Sequence, residues 1–381
     1  TSQPKGVMVT HANLAHNLQQ IQQAFGHSAE TRCVIWLPPY LDMGLIGGIL
    51  QPLYGGYPVT LMSPTSFLRQ PFRWLEAISY FGGTTSGGPN FAYDYCVQKI
   101  SAAQKKTLKF NSCSGSGFRR RACYPCYGLA ESTLFVSGGN CSESPKVVKL
   151  SRSALAIGKV KAINNEGDAV SFVSCGSAVD QHIEIVDPHT KLACFPEEIG
   201  EIWVTGNSIA AGYWKNIKAT KETFKATLVG QLSSEQTPFL RTGDLGFVKS
   251  GELFITGRLK DLIVIRGQNY YPQDIELSVS GAHPALQSGC AAFGIGVEGE
   301  TEQLVVVQEV SRKTVRSLRK QTLKVAEIFA AIQAAISREH RLQVKAIALL
   351  RPRHVHKTTS GKVKRQACKA QFQSGTLACV G

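Results

Sequence analysis

Acidic residues are nearly missing from the last fifth of the chain. Between Ser311 and Gly381 stand 16 lysines and arginines but only 2 aspartates and glutamates, against 42 basic and 27 acidic residues in the whole 381-residue chain. The formal charge of +15 therefore belongs almost wholly to that tail, and the first 310 residues are close to neutral. A basic face suits an acidic partner: the phosphates of a nucleotide, nucleic acid, or an acidic protein surface. The plainer alternative is a solvated helix face. No recognised nucleic-acid module and no aromatic interleaving accompany these basic residues, so no nucleic-acid partner is assigned.

Regular cysteine spacing is also lacking. The 11 cysteines are odd in number and scattered from Cys33 to Cys379, and no apolar secretory segment with a basic flank opens the chain. Together these point to a reducing cytoplasm. The one close pair, Cys123 and Cys126, has no second pair at ligand spacing, so no metal or redox role is assigned to it. Met43 to Leu68 is free of charge over 26 positions, long enough to cross a bilayer. Pro52, Pro58, Pro64 and the glycine pairs at 47–48 and 55–56 would break such a helix repeatedly, so no transmembrane segment is expected, and the stretch reads as buried core with turns. Disorder-type composition and internal repeats are absent too. With 43% hydrophobic and 18% charged residues, the chain can bury cores in two or three domains of about 100–200 residues each.

What is present is patterned. A helix from about His11 to Phe25 and short apolar runs at Val34–Leu37 and Val59–Met62 alternate as in α/β layering. From about Phe172 the texture turns β-rich: HIEIVDP (182–188), GEIWVTG (200–206), GELFITG (251–257) and DLIVIRG (261–267), each bounded by Gly, Pro or Asp. In the tail, QLVVVQEV (303–310) and KAIALLRP (345–352) read as strands flanking an Ala-rich helix around Lys324 to Glu339. The basic run from Ser311 to Lys324 leads into that helix, and Gln371 to Gly381 reads as a frayed end or linker.

Polar and glycine-bearing segments punctuate this frame. Thr1-Ser2-Gln3-Pro4-Lys5-Gly6 is a small hydroxyl-rich turn ahead of a helix, suited to a polyphosphate, though such a turn is ordinary on protein surfaces. In Tyr127-Gly128-Leu129-Ala130-Glu131-Ser132 a carboxylate follows a glycine turn, a plausible Mg²⁺ ligand with Tyr127 as aromatic wall; a helix N-terminus is the alternative. Leu240-Arg241-Thr242-Gly243-Asp244-Leu245-Gly246 holds an acid in a tight turn, fit to accept vicinal ribose hydroxyls. Gly257-Arg258-Leu259-Lys260-Asp261 is a charged link between two strands, and Thr358-Thr359-Ser360-Gly361-Lys362 presents a lysine on a small-residue loop.

In this order, these elements resemble the adenylate-forming superfamily of acyl-CoA synthetases, nonribosomal adenylation domains and luciferases. WLPPYLDMGLIGGILQPLYGGYPVTLMSP (36–64), TTSGGPNFAYDYCV (84–97), YPCYGLAESTLFVSGG (124–139) and GRLKDLIVIRGQNYYPQDIE (257–276) look like the fatty acyl-AMP ligases, which feed acyl carrier proteins. The 41 residues between Ser132 and Ser174 resemble that branch's insertion, which is held to hinder the rearrangement that CoA requires.

The resemblance implies an α/β adenylate-forming fold. A partial large α/β domain with a β-rich subdomain would span 1–256, a small mobile α+β domain 257–372, and a tail or linker 373–381. It implies activation of a long-chain fatty acid with ATP and Mg²⁺ to acyl-AMP, with release of pyrophosphate. Transfer to the phosphopantetheine of an acyl carrier protein, in lipid or polyketide biosynthesis in the cytoplasm, would follow. The alternatives are a long-chain acyl-CoA synthetase, or an impaired fragment that only binds nucleotide, acyl chain or carrier protein. By resemblance, Thr1, Ser2, Tyr127, Gly128, Asp244 and Arg258 bind the nucleotide; Lys5, Glu131 and Lys362 are catalytic, with Glu131 holding the metal. Lys260 is the hinge, and Asp42, Met43, Gly87, Gly88 and Phe91 line the acyl tunnel.

The sequence also departs from the pattern. It begins inside the phosphate-loop motif, as a fragment would, and NSCSGSG (111–117) stands where the family has a strand, an adenine-contact segment and a helix. His356 occupies a position where a proline commonly precedes the lysine loop.

Overall fold

The computed structural model describes residues 5–110, 119–164, 166–230, 237–296, 301–358 and 361–380. Thr1, Ser2, the 111–117 segment, Thr359 and Ser360 lie outside the described residues.

The first helix, His11–Phe25, is delimited by its own chemistry. Thr10 Oγ1 accepts the Asn13 N–H while Asn13 Oδ1 accepts the Thr10 N–H, and the helix stops at Gly26, whose φ of +62° only glycine adopts freely. Its buried stripe mixes Leu18 and Ile21 with the amides Asn17 and Gln20. A small parallel sheet comes next, Cys33–Ile35 beside Val59–Leu61, with Thr85 bridging Cys33 on the other edge. Helices Phe72–Phe81 and Asn90–Lys99 contribute to its aromatic core of Trp36, Phe67, Trp74 and Phe91.

The charge-free stretch departs from expectation. Met43–Leu50 winds as a π-helix and continues directly into the α-helix Gln51–Gly55, so the glycine pair at 47–48 does not interrupt it. A Cβ at Gly44 would lie 2.0 Å from the Pro38 carbonyl oxygen and so would not fit, and Gly48 packs tightly on the Ile35 side chain, a Cβ there falling 3.2 Å from it. Nor is the stretch wholly buried: Leu53, Tyr54, Leu61 and Leu68 are exposed. Among the described residues no helix is long and apolar enough to cross a membrane.

The β-rich part is a four-stranded antiparallel sheet, ordered Glu252–Arg258, Leu240–Lys249, Gly200–Thr205, His182–Val186. Gly200–Thr205 is buried on both faces, Ile202 and Val204 entering one apolar cluster and Trp203 the other. The 240–246 segment is a bulge within a strand rather than a turn between strands. Its pairing with Gly200–Thr205 shifts register between Arg241 and Leu245, with Gly243 at φ +71°. The 133–173 segment contains an antiparallel pair, Val147–Ser151 with Ala169–Val173, and the short helix Arg152–Leu155.

From Ile263 onward two further apolar clusters form on opposite faces of a three-stranded sheet, with Gln303–Val310 between Leu286–Ile295 and Val344–Leu350. Gln303–Val310 pairs antiparallel with the first and parallel with the second, so a crossover is required. The helix Val325–His340 supplies it, burying Ile328, Ile332 and Ile336. Two details differ from the sequence reading. The basic run forms its own helix, Arg312–Arg319, N-capped by Ser311. The end does not fray from Gln371: the helix Arg365–Gln373 runs past it, and the Val380 N–H donates to the Leu349 carbonyl at 2.7 Å.

Candidate nucleotide and acyl site

Asp244 is the centre of the site. It is buried at the bulge, with Oδ2 accepting the Tyr127 hydroxyl at 2.8 Å and Oδ1 paired with Arg258 Nε at 3.2 Å. Strand register makes that pair possible, since Asp244 and Arg258 lie opposite each other. Burial raises the Asp244 carboxyl above its ordinary value, opposed chiefly by Arg258, then by the Tyr127 hydroxyl and the charge of Lys362. The charge of Lys362, 118 positions further along the chain, thus acts on the same carboxylate. Each oxygen of Asp244 already has one partner and keeps a lone pair for another.

Tyr127 is not a free-standing wall. Its ring is packed among Val136, Ile185, Ile202 and Val204, and only its hydroxyl reaches the site. Gly128 is a steric necessity, because a Cβ there would lie 1.8 Å from the Leu134 carbonyl oxygen. The chain then makes a single 3₁₀ turn, Ala130–Ser132, so no long helix begins here. Glu131 Oε1 accepts the Tyr213 hydroxyl at 2.7 Å, and Lys5 Nζ lies 4.5 Å from the centre of the same Tyr213 ring. Burial first, then the Glu131 carboxylate, pushes the Tyr213 hydroxyl well up, keeping it a proton donor. Lys5 is held there by the backbone: the Met8 N–H donates to Gly212 and the Trp214 N–H to Gly6.

The residues expected to line an acyl tunnel divide into two groups. Gly88 packs on Trp36, a Cβ there falling 3.1 Å from the indole, and Phe91 stands edge-on to the same indole at 6.1 Å. Gly87 faces open space. Asp42 and Met43 instead form the start of the π-helix, where Asp42 Oδ1 accepts the Met43 N–H. No hydrogen bond or ring contact among the described residues joins them to Phe91.

The lysine loop closes over this region. Lys357 and Val363 pair as a β-bridge, the Lys362 N–H donates to Thr358 Oγ1, and Gly361, at φ +79°, lies against Phe91. A Cβ at 361 would meet the Phe91 ring at 2.7 Å. Lys260 lies in the 3₁₀ turn Leu259–Asp261, between the strands Glu252–Arg258 and Ile263–Ile265.

Two contributors escape a reading of the sequence. Tyr213 is 82 positions from Glu131, a pairing that no local pattern announces. Glu201 is 2% exposed, yet binds Arg241 through Nε and Nη2 at 2.9 and 2.7 Å and accepts the Gly243 N–H at 3.1 Å, fixing the bulge that carries Asp244. An acid inside the apolar strand GEIWVTG is the signal that could have found it.

The pattern of the AMP-binding enzymes matches residues 1–214, and that of the Disco-interacting protein 2-like AMP domain matches residues 260–380. The medium-chain-fatty-acid–[acyl-carrier-protein] ligase JamA of Moorena producens is 43% identical over 99% of this chain and 67% of its own length. The long-chain-fatty-acid–AMP ligase FadD26 of Mycobacterium bovis is 36% identical over 98% of this chain and 68% of its own. Among solved structures, the fatty acid AMP ligase from Legionella pneumophila is 39% identical with a TM-score of 0.67, over 99% of this chain and 68% of that one. A structure from a study of fatty acyl-adenylate ligases of E. coli and L. pneumophila is 30% identical with a TM-score of 0.84, over 98% and 68%. The chain spans about two thirds of the length of these relatives. With this fold, this arrangement around Asp244 and this likeness along nearly all of its length, the chain belongs to the AMP-binding enzymes and, among them, to the fatty acyl-AMP ligases.

Proposed function

We propose that this protein activates a long-chain fatty acid as acyl-AMP and passes the acyl group to the phosphopantetheine thiol of an acyl carrier protein, in the cytoplasm. What supports the reading is the lysine loop: the charge of Lys362 bears on the Asp244 carboxyl, and Gly361 rests on Phe91. One loop thereby bears on the nucleotide side by its charge and on the acyl side by contact. In the reaction, an oxygen of the fatty carboxylate bonds to the α-phosphorus of ATP as the bond to pyrophosphate breaks. Both reactants are anionic, so their approach needs positive charge at the meeting point. Lys362 supplies it at the α-phosphate and carboxylate oxygens, and Lys5 at the leaving phosphates. Asp244 with Arg258 holds the ribose, through the lone pairs that Tyr127 and Arg258 leave free.

The donor set suits Mg²⁺. Glu131 is a single hard carboxylate whose Oε2 has no partner among the described residues, and Mg²⁺ is held typically by one or two carboxylates plus substrate phosphates. Bound there, it would neutralise charge on the phosphates. The proposed domain division places the large domain at 1–256, the mobile domain at 257–372 and the tail at 373–381. Two apolar clusters built only from residues beyond 262 support a second folding unit.

The test is to incubate the chain with ATP, Mg²⁺ and a fatty-acid panel, and to follow acyl-AMP by mass spectrometry. CoA and phosphopantetheinylated carrier protein are then offered separately. Acyl-AMP passed to the carrier alone is the expected result. Turnover with CoA would instead make the chain an acyl-CoA synthetase, and a folded chain that forms no adenylate would be a binding fragment. Lys362→Ala is expected to lower adenylate formation at least about a hundredfold while leaving ATP binding nearly unchanged, because its charge matters at the transition state. Equal loss of both would remove Lys362 from that role.

A further inference from the structure

The helix Arg365–Gln373 begins three positions after Lys362, and its first two residues both reach back to the turn that contains Lys260. Gln366 Nε2 donates to the Lys260 carbonyl at 2.9 Å. Arg365 Nη1 lies 3.2 Å from Asp261 Oδ2, while its Nε and Nη2 make a two-pronged pair with Glu276, each at 2.7 Å. Glu276 Oε1 also accepts the Ala292 N–H. The cluster therefore joins the Lys260 turn, the helix Pro272–Gly281, the strand Leu286–Ile295 and the helix behind the lysine loop. Burial of Asp261, Glu276 and Arg365 makes it stiff: their side chains are 8%, 13% and 17% exposed.

The stereochemistry of a peptide chain gives this cluster a mechanical meaning. The carbonyl of Lys260 lies beyond its Cα–C bond, in the peptide plane shared with the Asp261 nitrogen, and so moves with Asp261 rather than with Leu259. Gln366 grips that carbonyl and Arg365 grips the next side chain. Everything after the Lys260 Cα is thus fastened to the helix behind Lys362. On the other side, the Leu262 N–H donates back across Lys260 to the carbonyls of Arg258 and Leu259, at 3.1 and 3.3 Å, closing the turn in its present form. Arg258 in turn is the partner of Asp244.

We propose that Gln366 and Arg365 are positioning residues that lock the peptide after Lys260 to the helix behind the lysine loop, so that Lys260 is a single pivot whose torsion sets the place of Lys362. This rests on the proposed roles of Lys260 and Lys362, and assigns to two further residues the precision with which the lysine is aimed. Without the lock, rotation spreads over residues 260–262 and the lysine samples a wider arc.

Hydrogen exchange of the full chain tests the lock without requiring catalysis. Gln366 is exposed, so Gln366→Ala removes its amide without opening a core. Exchange at Leu262 and across 357–363 is expected to quicken about fivefold, as for loss of one net hydrogen bond, while Gln303–Val310 stays unchanged. Arg365→Lys, which keeps the charge but not the planar fork, is expected to do the same. In the activity assay the kcat for adenylate formation falls by a like factor with the KM for ATP held. Unchanged exchange at Leu262 in both variants, or quickening spread equally into Gln303–Val310, overturns the proposal. Lys362→Ala run in parallel separates the two failures: if it stays active, the role of Lys362 falls, and the exchange result still decides whether the lock exists.

Discussion

A methyl group at position 128 has nowhere to go, since the Leu134 carbonyl oxygen would stand 1.8 Å from it. Gly128→Ala is therefore expected to cost about 3 kcal/mol or more of stability, because a backbone carbonyl cannot rotate aside as a side chain would. Urea unfolding followed by circular dichroism measures it, and a midpoint equal to that of the parent would contradict the packing. Close by, Thr133 has φ +66°, unusual for a β-branched residue, held by its Oγ1 donating to the Ser208 carbonyl at 2.7 Å. Strain of about 1–3 kcal/mol at such a position is borne next to the turn that presents Glu131.

At the scale of elements, the helix Val325–His340 ends on a buried histidine wedged between two parts of the chain. His340 Nδ1 faces Arg152 Nη1 at 3.3 Å and Nε2 faces Ser278 Oγ at 2.8 Å, with Glu339 and Asp274 beside it. The arginine can only donate, which makes Nδ1 the acceptor and puts the proton on Nε2. Burial, and then Arg152, pull the ring down to about 4 from 6.5. Above pH 6.5 it is neutral folded and unfolded alike. As pH falls from 6.5 toward 4 the unfolded chain takes up a proton that the folded chain refuses, so stability declines by about 2 kcal/mol by pH 5. His340→Gln is expected to flatten that decline, as read from urea midpoints at pH 7 and pH 5. An equal decline in both proteins would assign it to other groups.

Much of the element pattern was legible because it rests on short-range rules. The Thr10 cap with Gly26 bounds the first helix, and the runs at 182–188, 200–206 and 251–257 became three of the four strands of the central sheet, while 261–267 paired instead with Gln268–Tyr270. The π-helix was not legible, since a glycine pair reads as a breaker until Ile35 is known to lie against it. The same holds for the site. Asp244, Glu131 and Lys362 stand in motifs, whereas Tyr213, Glu201, Gln366 and Arg365 matter only through partners distant in sequence.

For the molecule as a whole, two behaviours separate the two chemical steps. Lys260→Pro removes freedom at the proposed pivot, so acyl-AMP formation is expected to persist while transfer to carrier protein drops about tenfold or more. Undiminished transfer in a single-turnover assay would argue against rotation. On the basic helix Arg312–Arg319, the side chains of Arg312, Lys313, Arg316 and Arg319 are exposed, and among the described residues no ion pair engages them. Transfer, unlike adenylation, is expected to slow about fivefold to tenfold on raising salt from about 50 to 300 mM, as electrostatic steering is screened. A salt-independent rate would place the docking surface elsewhere.

The first helix has a consequence for how the protein is made. Its polar partners lie far downstream: Asn13 donates to the carbonyls of Asn207 and Ile209, the buried Asn17 to Phe135 and Ser208, and Val7, just ahead of the helix, bridges Tyr213. At about 5–20 residues per second on the ribosome, the helix waits roughly 10–40 seconds for its partners to be synthesised. During that interval its amides are served by water, and the turn carrying Lys5 has no seat until Tyr213 emerges.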